Sequence, residues 1–563
     1  MAEREKFEII IGDFSGGLNT LDSEYEVADN DSTVLENFEV FGKGSIRKRY
    51  GFDIISTGGS TTAGVRGLIR FKKLAASSTD QLCIFNNGHL YTVTPASFTW
   101  TDAGAYGTET ATRTNGLVYD NMLIFGNGDT ANAVKKFDGT TLSSLGGSPG
   151  KFSLFEKHRG FIFGSGILTE RSVVYWSDVD DPEDWTTGLA ASLAVSLDDG
   201  DEVMGMFSHN ESFIVFKKNS KYILQPLEDT DNIAVDWQQS EIVDRSDGTL
   251  SGNSVAKTWN GFYFLGTQGF QAYGVDESYP DRRRPKTISP KIDTLVKNIN
   301  KYYANQSTGI FYDNRYRCSV PMLNSSTNDT EYVYYPEFQS WAINTGLRIS
   351  DYAIFENSSG DEAVYFGWES AGKLCKFNKR YSDNYSSTTS SGTPINARWR
   401  SKTFYKGNSK MAFDNIFSRV VIRGKMTSNC TAKVILTVDK KREEFTIDRT
   451  DIIDGAETGG YLGSAYSAYV DTVATASGEP AMLPFLSVID FPQSINNGRE
   501  INVGIVCDTG GSGIEINWIA IQGEKMSEDI IKHTVGDDSP HAVLTDESGN
   551  VIVTELGEPF LTK

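Results

Sequence analysis

The chain has 563 residues, 39% of them hydrophobic and 12% aromatic. That is enough to bury several cores, and at about 150 residues per domain it suggests roughly two to four domains. Asp and Glu number 74 against 53 Lys and Arg, a formal charge of −21, which disfavours an exposed nucleic-acid-gripping surface because neutralising phosphates takes clustered Lys and Arg. No run approaches the ~18 uncharged apolar residues of a membrane helix, and MAEREKFEII carries charges where a signal peptide is apolar, so neither a membrane-spanning segment nor an export signal is expected.

The first distinctive stretches are FSGGLNTLD, residues 14–22, and GSIRKRYGF, residues 44–52. The second gathers Arg47, Lys48 and Arg49, with Lys43 just before it, into one positive knot in an acidic chain. Tyr50 and Phe52 beside it are expected to pack inward. Residues 1–64 read as an N-terminal arm and first strands.

From 65 to 381 one phrase recurs: a short apolar strand, a turn rich in Gly, Asn, Lys or Asp, and a second strand bearing aromatics. The copies are QLCIFNNGHLYTV from 81, GLVYDNMLIFGNG from 116, HRGFIFGSG from 158, NESFIVFKKNSKYIL from 210, WNGFYFLGTQGFQAY from 259, TGIFYDNRYRCSVP from 308 and DEAVYFGWESAGKLCKF from 361. A lone hairpin buries too little apolar surface to stand by itself, and a spacing of about 40 to 50 residues is the blade period of a β-propeller. A propeller of about six blades is expected here; the alternative is a series of β-sandwiches, whose turns fall every 8 to 12 residues without a longer period.

Two features interrupt the repeats. SDVDDPEDW, Ser177 to Trp185, crowds five carboxylates together. A calcium loop alternates its acids and has glycine at the sixth position, a spacing that Pro182 and Glu183 break. The acidic turn of sialidase propellers has an aspartate six residues before its tryptophan, where this chain has Val179. A solvated turn with Trp185 packed beneath is the reading that remains. From Ser289 to Tyr302 a helix is expected, with Ser289 as cap, Pro290 in the first turn, and Ile292, Leu295, Val296 and Ile299 on one apolar face.

SDNYSSTTSSGT, 382–393, is polar and of low complexity, and reads as a linker or loop. Alternation returns in NARWRSKTFY, IFSRVVIRG, TAKVILTVD, EINVGIVCD and EINWIAIQG, giving a β-sandwich-like domain over 394–525. Residues 526–563 read as a polar C-terminal tail. The fold class is therefore mainly β, a propeller with an additional C-terminal β-sandwich-like domain.

No catalytic signature accompanies this architecture. The cysteines at 83, 318, 375, 430 and 507 form no CxxC pair and read as reduced, buried thiols; the five histidines stand apart; CDTGGSGIE from 507 lacks a phosphate-loop lysine. No catalytic residue, metal or cofactor is expected, although paired carboxylates drawn from distant blades are compatible with any such sequence.

Four passages together resemble the propeller-type tail proteins of tailed bacteriophages, especially the tail nozzle (tail tubular protein B-like, or phage stabilisation protein) of short-tailed phages. They are FSGGLNTLD with LENFEVFGKGSIRKRYGF, RSVVYWSDVDDPEDW, GDEVMGMFSHNESFIVFKKNSKYIL, and DRSDGTLSGNSVAKTWNGFYFLGTQGFQAYG, spanning residues 14–274. The resemblance implies a non-enzymatic virion protein, made in the host cytoplasm and built into the tail. It implies a cyclic homo-oligomer, a hexamer, below the portal and adaptor ring and next to tail fibre or needle proteins, with DNA passing through the lumen without specific binding. A lumen lined by carboxylates suits that passage, since it offers DNA no wells. Under this reading an arm hinged at Gly16 and Gly17 carries Lys43, Arg47, Lys48 and Arg49 to an acidic neighbouring subunit as a clasp. The competing reading makes the same stretch a solvated hairpin entering the first blade. Another tail or adhesin-like binding component, or a propeller glycan hydrolase, is the alternative function.

Overall fold

A computed structural model describes the chain except residues 1–4, 43, 75–79, 109–112, 210, 230–233, 245–246, 277–278, 387–390, 406–414, 449–479, 481 and 526–563. The tail expected over 526–563 lies outside the described residues.

Each copy of the hairpin phrase sits in a four-stranded antiparallel unit of its own. Blade 1 is Val65–Phe71, Gln81–Asn86, His89–Thr94 and Ser97–Ala105; blade 2 runs from Asn115–Tyr119 to Leu142–Ser144, blade 3 from Leu154–His158 to Ala191–Ala194, blade 4 from Val203–His209 to Ala234–Asp244, and blade 5 from Ala256–Lys257 to Tyr279–Thr287. Blade 6 is Thr308–Tyr312, Arg315–Val320, Thr330–Tyr335 and Ser340–Thr345. Blade 7 takes three strands from Ile349–Glu356, Glu362–Trp368 and Lys373–Phe377, and its fourth from the N-terminal Phe52–Thr57. The propeller expected from the sequence is thus present, and the ring put at about six blades closes, among the described residues, with seven four-stranded units.

Apolar clusters bridge the gaps between blades. Phe85 and Leu90 of blade 1 meet Leu123 and Phe125 of blade 2, Phe163 and Trp176 of blade 3 meet Phe213 and Trp237 of blade 4, and Val65 and Ile84 of blade 1 meet Phe355 and Tyr365 of blade 7. The last contact closes the circle. Alternating side chains on every blade put one set against each neighbour, which is why both faces of the central strands are apolar.

The additional β domain consists of two facing sheets. One contains Asn415–Thr427, Met482–Asp490 and Ile514–Lys525 together with the N-terminal Lys6–Ile11, Phe38–Val40 and Ile46–Lys48; the other contains Ala397–Ser401, Thr431–Val438, Lys441–Asp448 and Glu500–Cys507 with the N-terminal Asp31–Glu36. Their inner faces share a core of Val420, Ile422, Val434, Leu436, Ile505, Ile516 and Ile519. Asp31–Glu36 bonds to Ala397–Ser401 on one edge and meets Ser340–Thr345 of blade 6 on the other, at Glu36 and Ile343, so one sheet runs from the propeller into the second domain.

Three expectations change. The segment read as an arm supplies strands to both sheets of the second domain and to blade 7. Its glycines are not a hinge: a Cβ on Gly16 would meet the Asp31 carboxylate at 2.1 Å, and Gly17, at φ +70°, lies against the Trp341 carbonyl. The stretch read as a linker forms strands Ser382–Ser386 and Ser391–Pro394, the first paired with Phe52–Thr57, because an edge strand needs backbone partners rather than apolar side chains. The helix expected to reach Tyr302 is one 3-10 turn, Pro290–Ile292, and one α turn, Asp293–Val296. Ile299 bridges to Met322 and Asn300 donates to the Pro321 carbonyl, so tertiary pairing takes the backbone before a third turn forms. Ile292, Val296 and Ile299 are nonetheless buried, while the Ser289 hydroxyl accepts from the Phe270 amide rather than capping.

Shared strands have a direct consequence. A protease cut between 382 and 394 is expected to leave two pieces that co-elute on size exclusion and part only in denaturant. Elution of a free C-terminal piece would show that the shared sheet does not hold the domains together.

Candidate functional site: the N-terminal clasp and the propeller mouth

The basic knot folds inward because of strand alternation. In Ile46–Lys48, paired with Phe38–Val40 on one side and Ile514–Lys525 on the other, residues 46 and 48 share the face turned to the core. Lys48 is therefore fully buried beside Ile46. Its Nζ donates to the Thr509 carbonyl at 3.0 Å and lies 3.7 Å from the Cys507 Sγ.

Arg49 is 2% exposed and uses all five of its donors. Nε donates to Asn37 Oδ1 at 2.8 Å, Nη1 to Asp383 Oδ1 at 2.8 Å and the Tyr50 carbonyl at 3.1 Å, and Nη2 to Asp383 Oδ2 at 2.6 Å and the Thr345 carbonyl at 3.0 Å. One guanidinium thus joins the N-terminal segment, the end of blade 6 and the 382–394 hairpin. Arg47, on the opposite face, stacks its guanidinium 3.6 Å over the Phe41 ring and 4.4 Å over Tyr50. Phe52 is fully buried against Phe366 and Trp368, and Tyr50 is half-buried against Tyr381. Lys43 lies outside the described residues. Lys48 and Arg49 are thus not available to a neighbouring subunit: the clasp they form closes within one chain.

Beside the clasp is a cavity of about 290 Å³ with Arg47, Arg49, Arg315, Arg317 and Glu39 on its walls. Glu39 accepts from Arg315 at 2.7 Å and Arg317 at 3.1 Å, Arg317 also donates to Glu331 at 2.8 Å, and Asn344 bonds both carboxylates. Burial alone would raise the Glu39 carboxyl, but Arg317 and Arg315 overcome it and hold the group at about 2.

A second cavity, about 480 Å³, opens where the blades converge; Arg113, Asn115, Asn253, Tyr302 and Gln306 are among its lining residues. Behind it Arg113 faces Asp351 at 3.6 Å and Arg66 faces Glu369 at 3.6 Å. Burial pushes both carboxyls up, and the arginines only partly oppose it. Perturbed acids in a concave site draw attention to it, yet Glu369 is only 5% exposed and Asp351 accepts from the Leu68 amide and the Thr308 hydroxyl. These acids brace the inner strands; they do not face the cavity as a free acid–base pair. Sequence reasoning did not find this group, whose members come from three blades far apart in the chain.

The acidic turn is occupied by its own backbone. Asp178 accepts from the Leu189 amide, Asp184 from the amides of Thr186 and Thr187, and Glu183 from Gly146 and the Lys136 ammonium. Trp185 packs on Phe152. Among the described residues no group of three or more His, Cys, Asp or Glu is placed to hold a metal ion. Chelator is expected to leave the melting temperature unchanged; a fall of several degrees would mark a cation site that stabilises the fold through linkage.

The geometry defines the class: a β-propeller with a second β domain laced to it by the N-terminal segment. No family model matches the sequence, and no curated protein does. Among solved structures, the extracellular domain of a hybrid two component system of B. thetaiotaomicron is similar over 66% of this chain and 43% of that one, at 11% identity and a TM-score of 0.38. The Neurospora crassa Pan2 WD40 domain is similar over 58% of this chain and 98% of its own, at 9% identity and a TM-score of 0.35. BBS1N, solved in complex with ARL6DN, is similar over 59% and 98%, at 9% identity and a TM-score of 0.38. Likenesses this distant carry no argument about function.

Proposed function

We propose that the chain is a structural virion protein, the ring-forming tail nozzle of a short-tailed phage, which closes the particle and forms part of the DNA exit channel. The observation that carries this reading is the pair of large aromatics left in solvent at opposite ends of the propeller: Trp259 is 87% exposed on the turn between the first two strands of blade 5, and Tyr302 is 83% exposed on the connection between blades 5 and 6. Exposed Trp and Tyr are the residue types that most often anchor protein interfaces. Contacts at both ends suit a subunit held between neighbours above and below it. The ordered resemblance of residues 14–274 supports the same reading, as does a charge of −21, which disfavours a surface that grips DNA by releasing its counterions.

The subunits are expected to meet by a heterologous interface that closes by rotation into a hexamer. Electron microscopy of particles containing the protein is the test: a closed ring in the tail supports the proposal, and single unringed copies end it. A second reading, a tail or adhesin-like binding module, is favoured by the cavity at the propeller mouth. Retention of host surface glycans by the isolated protein, lost on Tyr302→Ala, would move the assignment there, and cleavage of those glycans would make it a hydrolase.

A further inference from the structure

Five cysteines are buried and free, and two of them adjoin. Cys507 ends the strand Glu500–Cys507, and Cys430 sits in the turn that opens the neighbouring strand Thr431–Val438; Lys433 pairs with Val506, which leaves Cys430 two residues beyond Ala432, the residue opposite Cys507, and so diagonal to it. Their Sγ atoms are 3.8 Å apart. Against Cys507 Sγ, at 3.7 Å, lies the ammonium of Lys48, fully buried, whose other bond is to the Thr509 carbonyl, a neutral acceptor.

A buried ammonium without a carboxylate is costly unless another group supplies the negative charge. Cys507 is the group in contact that can do so. The hydrogen bond between the two sulfurs, which Cys430 donates once Cys507 is ionised, and the charge of Lys48 beside Cys507 favour the Cys507 thiolate, against the opposing effect of burial, while Cys430 is pushed the other way by the same hydrogen bond and by burial. One cysteine is thus prepared to attack and the other is held as a thiol within reach of whatever Cys507 becomes bonded to. That asymmetry is what a reactive and a resolving cysteine require.

We propose that Cys430 and Cys507 are a thiol–disulfide exchange site, with Cys507 as attacking thiolate, Lys48 as its charge partner and Cys430 as resolving thiol, and with a low-molecular-weight disulfide such as oxidised glutathione as the co-reactant. Cys507 thiolate attacks one sulfur of the disulfide and forms a mixed disulfide, releasing one small thiolate. Cys430 then gives its proton to that thiolate and attacks the Cys507 sulfur, and the second small thiolate leaves and takes a proton from Lys48 or water. Two protein thiols become one disulfide, two electrons pass to the small disulfide, and it departs as two thiols. The sulfurs must close from 3.8 Å to about 2.05 Å, and the turn that carries Cys430, held by its amide bond to the Thr427 carbonyl, must move with them. Entry is by local opening of the turn after Cys507, which begins at the exposed Asp508.

The bond would have two effects. It would close a loop of 77 residues, and it would take from Lys48 its anionic partner, so oxidation both locks the second domain and loosens the grip of the N-terminal segment upon it. A chain assembled in a reducing cytoplasm and released into an oxidising medium, as the proposed virion role implies, meets this chemistry once, after assembly.

The experiment does not depend on that role. The purified full chain is incubated with oxidised glutathione under native conditions, quenched in acid, and measured by mass spectrometry with peptide mapping. The expected result is a loss of about two mass units and a peptide linking Cys430 to Cys507. Cys430→Ser should instead stop at a single glutathione adduct on Cys507, and Lys48→Met, of similar volume, should slow the reaction by about tenfold while its folding is checked by circular dichroism. All five thiols persisting in the folded chain, when the unfolded chain oxidises readily, would overturn the site. An adduct on Cys430 in Cys507→Ser formed as fast as that on Cys507 in Cys430→Ser would overturn the assignment of roles, and an unchanged rate in a folded Lys48→Met would remove Lys48 from it.

Discussion

Replacing Arg49 by Met is expected to cost about 3–5 kcal/mol of folding stability, read as a lower urea midpoint and melting temperature. The size follows from what is left behind. Asp383 has a side chain only 9% exposed and takes both of its strong bonds from this one guanidinium. Without it a carboxylate stays buried unpaired, and Asn37 Oδ1 and the Thr345 carbonyl each lose a donor. Arg49→Lys is expected to recover little, because a point charge cannot fork across two carboxylate oxygens and reach Asn37 and Thr345 as well. The double variant Arg49→Met with Asp383→Leu should recover much of the loss, since it removes both charges. Single variants that each cost under about 1 kcal/mol would show that the pair is solvated and that the clasp does not hold the segment.

Acid is expected to weaken the neighbouring network. Glu39 is held at about 2 against an ordinary value of 4.5, so its folded value is depressed. Its contribution is complete above about pH 4.5 and is lost as the pH falls toward 2, amounting to roughly 3 kcal/mol by proton linkage. Glu39→Gln should flatten the stability profile in that window while lowering stability near neutrality, because Arg315 and Arg317 lose their shared anion. Arg317→Met should be worse at neutral pH, by about 3–5 kcal/mol, since it takes the cation from the buried Glu331 and one of the two cations from Glu39. Urea titrations at a series of pH values measure both effects, and a wild-type profile that is flat from pH 5 to 2 would contradict the assignment.

The blades were legible because each hairpin phrase carries its own strand alternation and its own turn residues. Asn87 and Gly88, Asp120 and Asn121, and Asp313 and Asn314 all adopt positive φ at those turns, as their residue types allow. What was not legible depends on partners distant in sequence. Phe52–Thr57 has no hairpin phrase around it and reads as a strand without a sheet until Lys373–Phe377 supplies one. SDNYSSTTSSGT looks like a linker because the hydrogen bonds that make it a hairpin leave no mark on composition. The basic knot is legible as a unit, but neither a clasp to a neighbour nor a solvated hairpin describes Lys48 and Arg49: the alternation Ile46, Arg47, Lys48 places the lysine with the isoleucine in the core. The approach of Cys430 to Cys507, and of Arg113 to Asp351 and Glu369, is set by tertiary register, which a single sequence does not reveal.

The lacing of the N-terminal segment also sets a timetable for the nascent chain. Phe52–Thr57 has no partner until about residue 377 has been made, and Lys6–Ile11 pairs with a strand about 500 residues later, Ile11 opposite Ile519. At ~5–20 residues per second the first strand waits roughly half a minute to two minutes on the ribosome with its edge open. Blades 2 to 5 can collapse in order as they emerge, each on local hairpins, but the ring cannot close until Lys373–Phe377 has been made, and the second domain cannot form until Ile514–Lys525 follows, when synthesis is almost complete. The last steps are then non-local pairings of the slow kind, and a truncated product leaves unpaired edges that invite aggregation.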